Sequence, residues 1–503
     1  MHLSEIAART PDKPAIVTTG GRTVTYAELD RRSLQVAALV RAHGLGPKDH
    51  VAVLMDNSPE FLEVAWGAQR AGQYWTPVNW HLTEEEAAYV VRDCGARLLF
   101  ASPRVADLAS RIAAATPGVE AVFVAGSSLD EALAPLPAEP AADEVEGTYF
   151  FYSSGTTGAP KGIRPDHAFP PFGTGLRIDH TMASTFGFGP DSVYLCPAPL
   201  YHAAPAGWSL GTLRNGGTVV LMERFDAMDC LCAIEQHRVS HVQFVPTHFV
   251  RMLKLPEEQR AAVDVSSLRV VVHAAAPCPV DVKHRMIEWF GPVLMEFYAG
   301  SEGSGMTVIT SPDWLAHPGS VGRAAVGEVH IVDEVGEELP TGEIGAVYFS
   351  GGGSFEYHND PDKTARVHDH RGWSTLGDMG RLDAEGYLYL ADRRTDLIIS
   401  GGVNVYPAEI EDAMIMNPAV ADVAVVGVPD AEMGHSVRAV VQCAPGIVGT
   451  PELAEELRAD ARTRLAGFKV PRSVVFVDEL PRLPNGKLLR RRVREEQGVA
   501  QTP

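Results

Sequence analysis

The sequence predicts an α/β protein in which parallel sheets are covered by helices, followed by a small antiparallel β unit and a smaller α+β region. Three observations lead there. Amphipathic stretches ending in glycine alternate with short apolar runs; this texture changes after about Pro312; and a second, smaller alternation fills the C-terminal part. "TYAELDRRSLQVAALVRAHG" carries apolar residues at helical spacing and stops at Gly44, and "HVAVLM" follows as a short β-type run. "SPEFLEVAWGAQRAG" and "TEEEAAYVVRDCG" repeat the pattern, with "RLLFAS" as the next strand. Such alternation implies parallel strands joined by helical crossovers. "EALAPLPAEPAADEVEG", rich in Pro, Ala and acid, reads as an exposed connector. The alternation resumes at "TVVLMERFDAMDCLCAIEQHRVSHVQFVP" and "LRVVVHAAAP". "GEVHIVDEVGEELPTGEIGAVYFSGGG" then reads as short strands with Gly and acidic turns. Beyond it, "VADVAVVGVP", "RAVVQCA", "PELAEELRADARTRL" and "SVVFVDEL" give strand, strand, helix, strand. A domain boundary is expected near Arg393 to Asp396, dividing the chain into 1–394 and 395–503.

At 503 residues, with 45% hydrophobic and 21% charged residues, the chain is an ordinary folded protein of about three domains' length. Its formal net charge of -21 argues against nucleic acid or an anionic membrane as partner, since both need a positive surface. The six cysteines are scattered and complete no zinc set, so they read as reduced thiols. The N-terminus lacks a secretory pattern and no apolar run approaches the ~18 residues of a membrane span. A soluble, cytoplasmic protein is expected.

"YFFYSSGTTGAPKGIRP" combines an apolar lead-in with a Ser, Thr and Gly cluster closed by Lys161. Gly155 and Gly158 permit close backbone approach, and Ser153, Ser154, Thr156 and Thr157 offer hydroxyl donors to phosphate oxygens. It is not a Walker A loop, because Pro160 and Gly162 flank the lysine where a helix would have to begin. Ser/Thr/Gly clusters are usually plain surface loops; the lysine and the preceding strand favour an anion loop.

"FYSSGTTGAPKG" closely resembles the signature loop of the adenylate-forming superfamily, which includes acyl-CoA synthetases, firefly-type luciferases and the adenylation domains of peptide synthetases. "PLYHAAP", "EFYAGSEG", "STLGDMGRLDAEGYLYLADRRTDLIISGGVNVYPAEIE" and "PRLPNGKLLR" follow in the family's order, so the resemblance spans nearly the whole chain. It implies a large N-terminal domain of two helix-covered, mostly parallel sheets plus a small β-barrel-like unit, and a mobile α+β C-terminal domain. It implies ATP and coenzyme A as co-substrates, with Mg²⁺.

Residue by residue, the resemblance makes Glu302 the Mg²⁺ ligand, Ser301 an α-phosphate contact and Tyr298 the platform for adenine. Ala299 stands where the family has Gly, adding a methyl beside the acyl pocket. Ala275, Ala276 and Pro277 match the segment lining adenine, Asp378 the carboxylate that accepts both ribose hydroxyls, and Arg393 a ribose-contacting arginine. His202 matches an imidazole beside the substrate carboxylate, although a lone His among apolar residues is usually a core residue. Lys487, presented by Pro484-Asn485-Gly486, matches the catalytic lysine, and Thr395 occupies the hinge position. Arg482, Arg490, Arg491 and Arg492 read as a solvated helix face.

These matches lead to ATP-dependent activation of a hydrophobic carboxylic acid as an acyl-adenylate, then transfer to CoA. Two other readings are weighed: a free-standing enzyme loading a carrier-protein thiol, and a catalytically silent nucleotide-binding regulator. A homodimer is a further partner expectation. "HVQFVPTHF" with Ala203, Ala204, Ala206 and Gly207 is expected to line a roomy apolar acyl pocket.

Overall fold

The computed structural model describes residues 2–153, 160–393, 396–400, 403–430, 433–482 and 488–499, with the side chains of Asp392, Arg393 and Asn404 also outside the description. Helices start where capping chemistry allows. Thr25 and Glu28 form a reciprocal capping box at the head of the helix Tyr26–Ala42, and Thr83 and Glu86 do the same for Glu84–Asp93. Gly67 lets the helix Pro59–Arg70 lie against Tyr26–Ala42, since a Cβ there would stand 2.4 Å from Val36.

Five sheets follow. The largest has nine strands, in the order Arg323–Val326, Met306–Thr310, Leu294–Ala299, Val270–His273, His241–Phe244, Val193–Cys196, Thr218–Leu221, Pro14–Thr18, Thr23–Thr25. The run from Leu294–Ala299 to Pro14–Thr18 is parallel, and antiparallel strands close both sides. A second, all-parallel sheet is ordered Ala121–Val124, Leu98–Ala101, His50–Leu54, Tyr74–Pro77, Thr148–Tyr149. Their central strands are buried on both faces, which is why they read as continuous apolar runs rather than alternating ones. The nine-stranded sheet continues to Val326, beyond the change of texture at Pro312. Its last two strands pair antiparallel and need no crossover helix, so the α/β pattern stops before the sheet does.

Two small antiparallel sheets come next: four strands (Glu328–Val332, Gly345–Ser350, Ser374–Leu382, Leu388–Arg393) and three strands (Phe355–Tyr357, Lys161–Pro165, Phe151–Ser153). The C-terminal part builds a five-stranded sheet around the hairpin Val420–Asp430 and Gly434–Cys443. It meets the rest through a buried apolar cluster that Val250 and Leu253 share with Ile415, Val420 and Val423, and through Lys254, whose ammonium donates to the carbonyls of Val420 at 2.5 Å and Ala421 at 3.1 Å. No helix among the described residues is long and apolar enough to cross a membrane.

The acidic stretch expected to be an exposed connector is not wholly so. Glu146 is fully buried: Arg214 donates to its Oε1 at 2.5 Å, Gln69 at 2.8 Å, and the amides of Gly173 and Gly175 donate to its Oε2 at 2.9 and 3.1 Å. Glu144 lies 3.1 Å from the Nε of Arg70, whose side chain is fully buried and also reaches Asp30, Ser33 and Ser4. Composition hid this because each partner is far away in the chain. Removing one partner of such a pair leaves a buried charge uncompensated, typically costing about 3–5 kcal/mol. Glu146→Ala should therefore lower stability in urea denaturation by about that amount, and Glu146→Leu with Arg214→Met should recover most of it. A single variant as stable as the parent would refute the point.

Candidate active site

A cleft of about 1950 Å³ opens between the nine-stranded sheet, the four-stranded sheet and the C-terminal part. Pro246 and Thr247 line it just beyond the strand His241–Phe244, Ala275 to Pro277 just beyond Val270–His273, and Tyr298 to Gly300 at the end of Leu294–Ala299. These are carboxyl ends of parallel strands, where open α/β sheets place ligands. The volume exceeds the roughly 300–1,000 Å³ of a single small-ligand pocket, leaving room for two substrates.

Ala275 holds φ at 77°, a left-handed conformation that costs a non-glycine residue about 1–2 kcal/mol. It turns the chain so that Ala275, Ala276 and Pro277 are exposed in the cleft wall. Behind this turn, Lys283 donates to Glu296 at 2.5 Å, both buried, and His273 lies 3.7 Å from the same oxygen. Burial drives the His273 imidazole well below its usual range, with the Lys283 charge adding to it, so it is neutral. Desolvation raises Glu296 while Lys283 opposes the rise.

The hydroxyl of Tyr298 donates to Oδ2 of Asp378 at 2.7 Å, and the Phe349 ring backs it at 6.0 Å between centroids. A carboxylate acceptor makes this the stronger, charge-assisted kind of hydrogen bond. It ties the nine-stranded sheet to the four-stranded one and presents an aromatic face beside a carboxylate, a fit for a planar base and a diol. Asp378 is the antiparallel partner of Arg393, whose side chain lies outside the described residues.

Glu302 also lines the cleft, and its Oε1 accepts from the hydroxyl of Tyr357 at 3.0 Å. The strand Lys161–Pro165 is central in the three-stranded sheet, pairing Lys161 with Ser153 and Ile163 with Tyr357. Both feet of the Ser/Thr/Gly loop are thereby fixed. Ser154, Gly155, Thr156, Thr157 and Gly158 lie outside the described residues, as do Thr395 and Lys487.

Four expected residues with described side chains do not line the cleft: Ser153, Lys161, Ser301 and His202. Ser301 is exposed on the turn after Ala299, and His202 is half-buried as the N-cap of the helix Ala203–Arg214, its ring 4.6 Å from that of Tyr201. Nor do Ala203, Ala204, Ala206 and Gly207 line it. Ala206 and Gly207 are buried within the helix, which packs against its neighbour Arg177–Phe186; small residues there serve helix packing. Of "HVQFVPTHF", Pro246 and Thr247 line the cleft.

Tyr357 and Lys363 carry no motif that would single them out. Asp360 caps the helix Pro361–Val367 by accepting from the Lys363 amide at 3.0 Å, with Pro361 at its first position. The Lys363 ammonium sits 3.8 Å from the centroid of the Tyr357 ring. Burial and the neighbouring Lys161 push Lys363 down to about 7, against the pull of Asp360 and Glu302.

The AMP-binding enzyme family matches residues 3–357, and the AMP-binding enzyme C-terminal domain matches residues 409–487. Feruloyl-CoA synthase of Amycolatopsis sp. is 36% identical over 499 residues, covering 98% of this chain and 97% of its own. The long-chain-fatty-acid–CoA ligase FadD13 of Mycobacterium tuberculosis is 33% identical over 487 residues, covering 94% and 93%. ATP-bound MatB from Rhodopseudomonas palustris superposes with a TM-score of 0.83 at 30% identity, covering 99% of each chain. Family models in the expected order, near-complete relatives and a matching fold agree with the cleft: the chain belongs to the AMP-binding, adenylate-forming enzyme family and is an AMP-forming acid–thiol ligase of the acyl-CoA synthetase type.

Proposed function

We propose that the protein activates a hydrophobic carboxylic acid with ATP and transfers the acyl group to coenzyme A, using the Tyr298–Asp378 cleft for the nucleotide. The observation carrying this is the arrangement of Tyr298, Asp378, the Ala275–Pro277 turn and Glu302 around one cavity. An aryl or fatty acid, or a polycyclic acid of similar bulk, is the substrate class; relatives named for ferulic and long-chain fatty acids support it.

In the first step the substrate carboxylate oxygen attacks the α-phosphorus. The new O–P bond forms as the bridge to the β-phosphate breaks, and pyrophosphate leaves. A carboxylate is a poor acyl donor; the adenylate makes AMP the leaving group instead. In the second step the CoA thiol gives up its proton, attacks the acyl carbon and expels AMP. Asp378 accepts from the ribose, Tyr298 flanks the base, and Lys161 with Ser153 steadies the departing pyrophosphate. Lys487 supplies positive charge where the two anions meet.

Among the described residues no group of three or more His, Cys, Asp or Glu side chains could hold a metal alone. Glu302 as a single carboxylate fits Mg²⁺ carried by the nucleotide, because that ion binds through one or two carboxylates plus substrate phosphates. Bound there, Mg²⁺ neutralises phosphate charge.

Residues 1–394 form the nucleotide and acid-binding domain in this reading. Residues 395–503 form a mobile domain that turns about Thr395 between the two steps. ATP and CoA as intracellular co-substrates support a cytoplasmic enzyme.

Screening a panel of carboxylic acids with CoA and reading AMP release tests the activity and names the acid; no AMP release with any member would refute it. Lys487→Ala should slow adenylation by roughly 10²–10³, the usual loss for one preorganised charge, while leaving CoA transfer from synthetic acyl-adenylate nearly intact. Equal loss in both half-reactions would sink that assignment. Thr395→Pro should spare ATP–pyrophosphate exchange and block thioester formation, so full turnover in that variant would contradict the hinge.

A further inference from the structure

Lys254 lines the cleft, yet the proposed chemistry leaves it unused. It caps the C-terminal end of the helix Pro246–Leu253, whose first residues, Pro246 and Thr247, line the same cleft. Eight helical residues span about 12 Å at 1.5 Å each, so this helix is a short rigid arm from the sheet edge to the C-terminal part. At its far end the Lys254 ammonium donates to the carbonyl of Val420 at 2.5 Å and to that of Ala421 at 3.1 Å. Consecutive carbonyls of a regular strand point to opposite sides, where one ammonium could not reach both. The strand Val420–Asp430 shifts register against Gly434–Cys443 between Val420 and Asp422, and this bulge turns the two carbonyls the same way.

The gripped bulge leads directly to the base of the Lys487 segment. Asp422 accepts from Nη2 of Arg482 at 2.8 Å, and Arg482 bridges to Leu488 across residues 483–487. Ala421, Asp422, Arg482 and Leu488 all line the cleft. Apolar packing joins the same two parts, since Val250 and Leu253 share a buried cluster with Ile415, Val420 and Val423. Such packing is non-directional and holds the parts together without fixing one relative angle. An ammonium shared by two carbonyls is directional, so a modest rotation breaks it. Cohesion needs only the apolar cluster; a defined angle needs the lysine.

We propose that Lys254 is a positioning residue for the adenylation step. By gripping the bulge at Val420 and Ala421 it sets the base of the Lys487 segment against the cleft, and its release accompanies the turn to the transfer step. The role rests on the reading of Lys487 as the adenylation lysine and of the C-terminal part as the one that turns.

The test is a double-mutant cycle between Lys254→Met and Lys487→Ala, read in ATP–pyrophosphate exchange and in CoA transfer from synthetic acyl-adenylate. Methionine keeps an unbranched apolar stem and removes the charge. Lys254→Met should slow exchange roughly fivefold to tenfold, the scale of a lost charge-assisted hydrogen bond on an exposed side chain. The loss should fall on kcat, with the KM for ATP within about twofold, because Lys254 acts on the Lys487 segment and not on the nucleotide. CoA transfer should be unchanged or faster. In the Lys487→Ala background Lys254→Met should cost nothing further, since no lysine is left to position. Lys254→Arg, whose guanidinium can still donate to two carbonyls, should restore most of the rate. Exchange at the parental rate in Lys254→Met would overturn the role, as would equal slowing of both half-reactions or the same further loss with and without Lys487. If the parent exchanges and Lys487→Ala loses nothing, the Lys487 assignment fails and the positioning role with it. If the parent exchanges with no acid at all, the reaction assignment itself fails, and with it a role defined by that reaction.

Discussion

Six parallel strands of the nine-stranded sheet release their chain at one edge, and this edge governs where chemistry can sit. Strands hydrogen-bonded on both sides have no backbone groups left for a ligand, so the loops beyond their ends must do the binding. The strained turn at Ala275, the Tyr298–Glu302 segment and the start of the helix Pro246–Leu253 all emerge there. The Tyr298–Asp378 hydrogen bond then closes that edge with the four-stranded sheet.

Behind the cleft, buried charge sets the frame. Arg214 and Glu146 join two helices and a connector, while Arg70 gathers Asp30, Ser4 and Glu144. Such groups contribute less to net stability than to placement, because their directional bonds allow few alternative packings. The Lys283–Glu296 pair has the same role close to the cleft, bracing the turn that carries Ala275.

The C-terminal part is held by a contact of different character. Lys254 donates to two main-chain carbonyls, and burial pushes its ammonium down to about 8. Asp422, next in the chain, pairs with Arg482, and Arg482 pairs with Leu488 across residues 483–487. A short polar path thus connects the large part to the base of the segment containing Lys487. Apolar packing accompanies this contact: Val250 and Leu253 share one buried cluster with Ile415, Val420 and Val423.

Much of the site was legible because its residues lie in short motifs. Glu302 and the Ala275–Pro277 turn closely follow strands, and Tyr298 and Asp378 sit within strands, so local pattern located them. Tyr357 and Lys363 were not legible, since nothing in "FEYHNDPDKT" reveals that its strand pairs beside Lys161. The acidic connector was misread for the same reason: Glu146 is buried only because Arg214, Gln69 and two glycine amides converge on it. The alanines near His202 looked like a pocket wall, but their helix faces another helix. By itself the sequence determined the α/β class, the order of the motifs and the family they belong to, because periodicity and motif spacing are local properties of the chain. Tertiary structure alone decided which side chains share the cleft and which charges are buried, because those depend on strand register and on partners far apart in sequence.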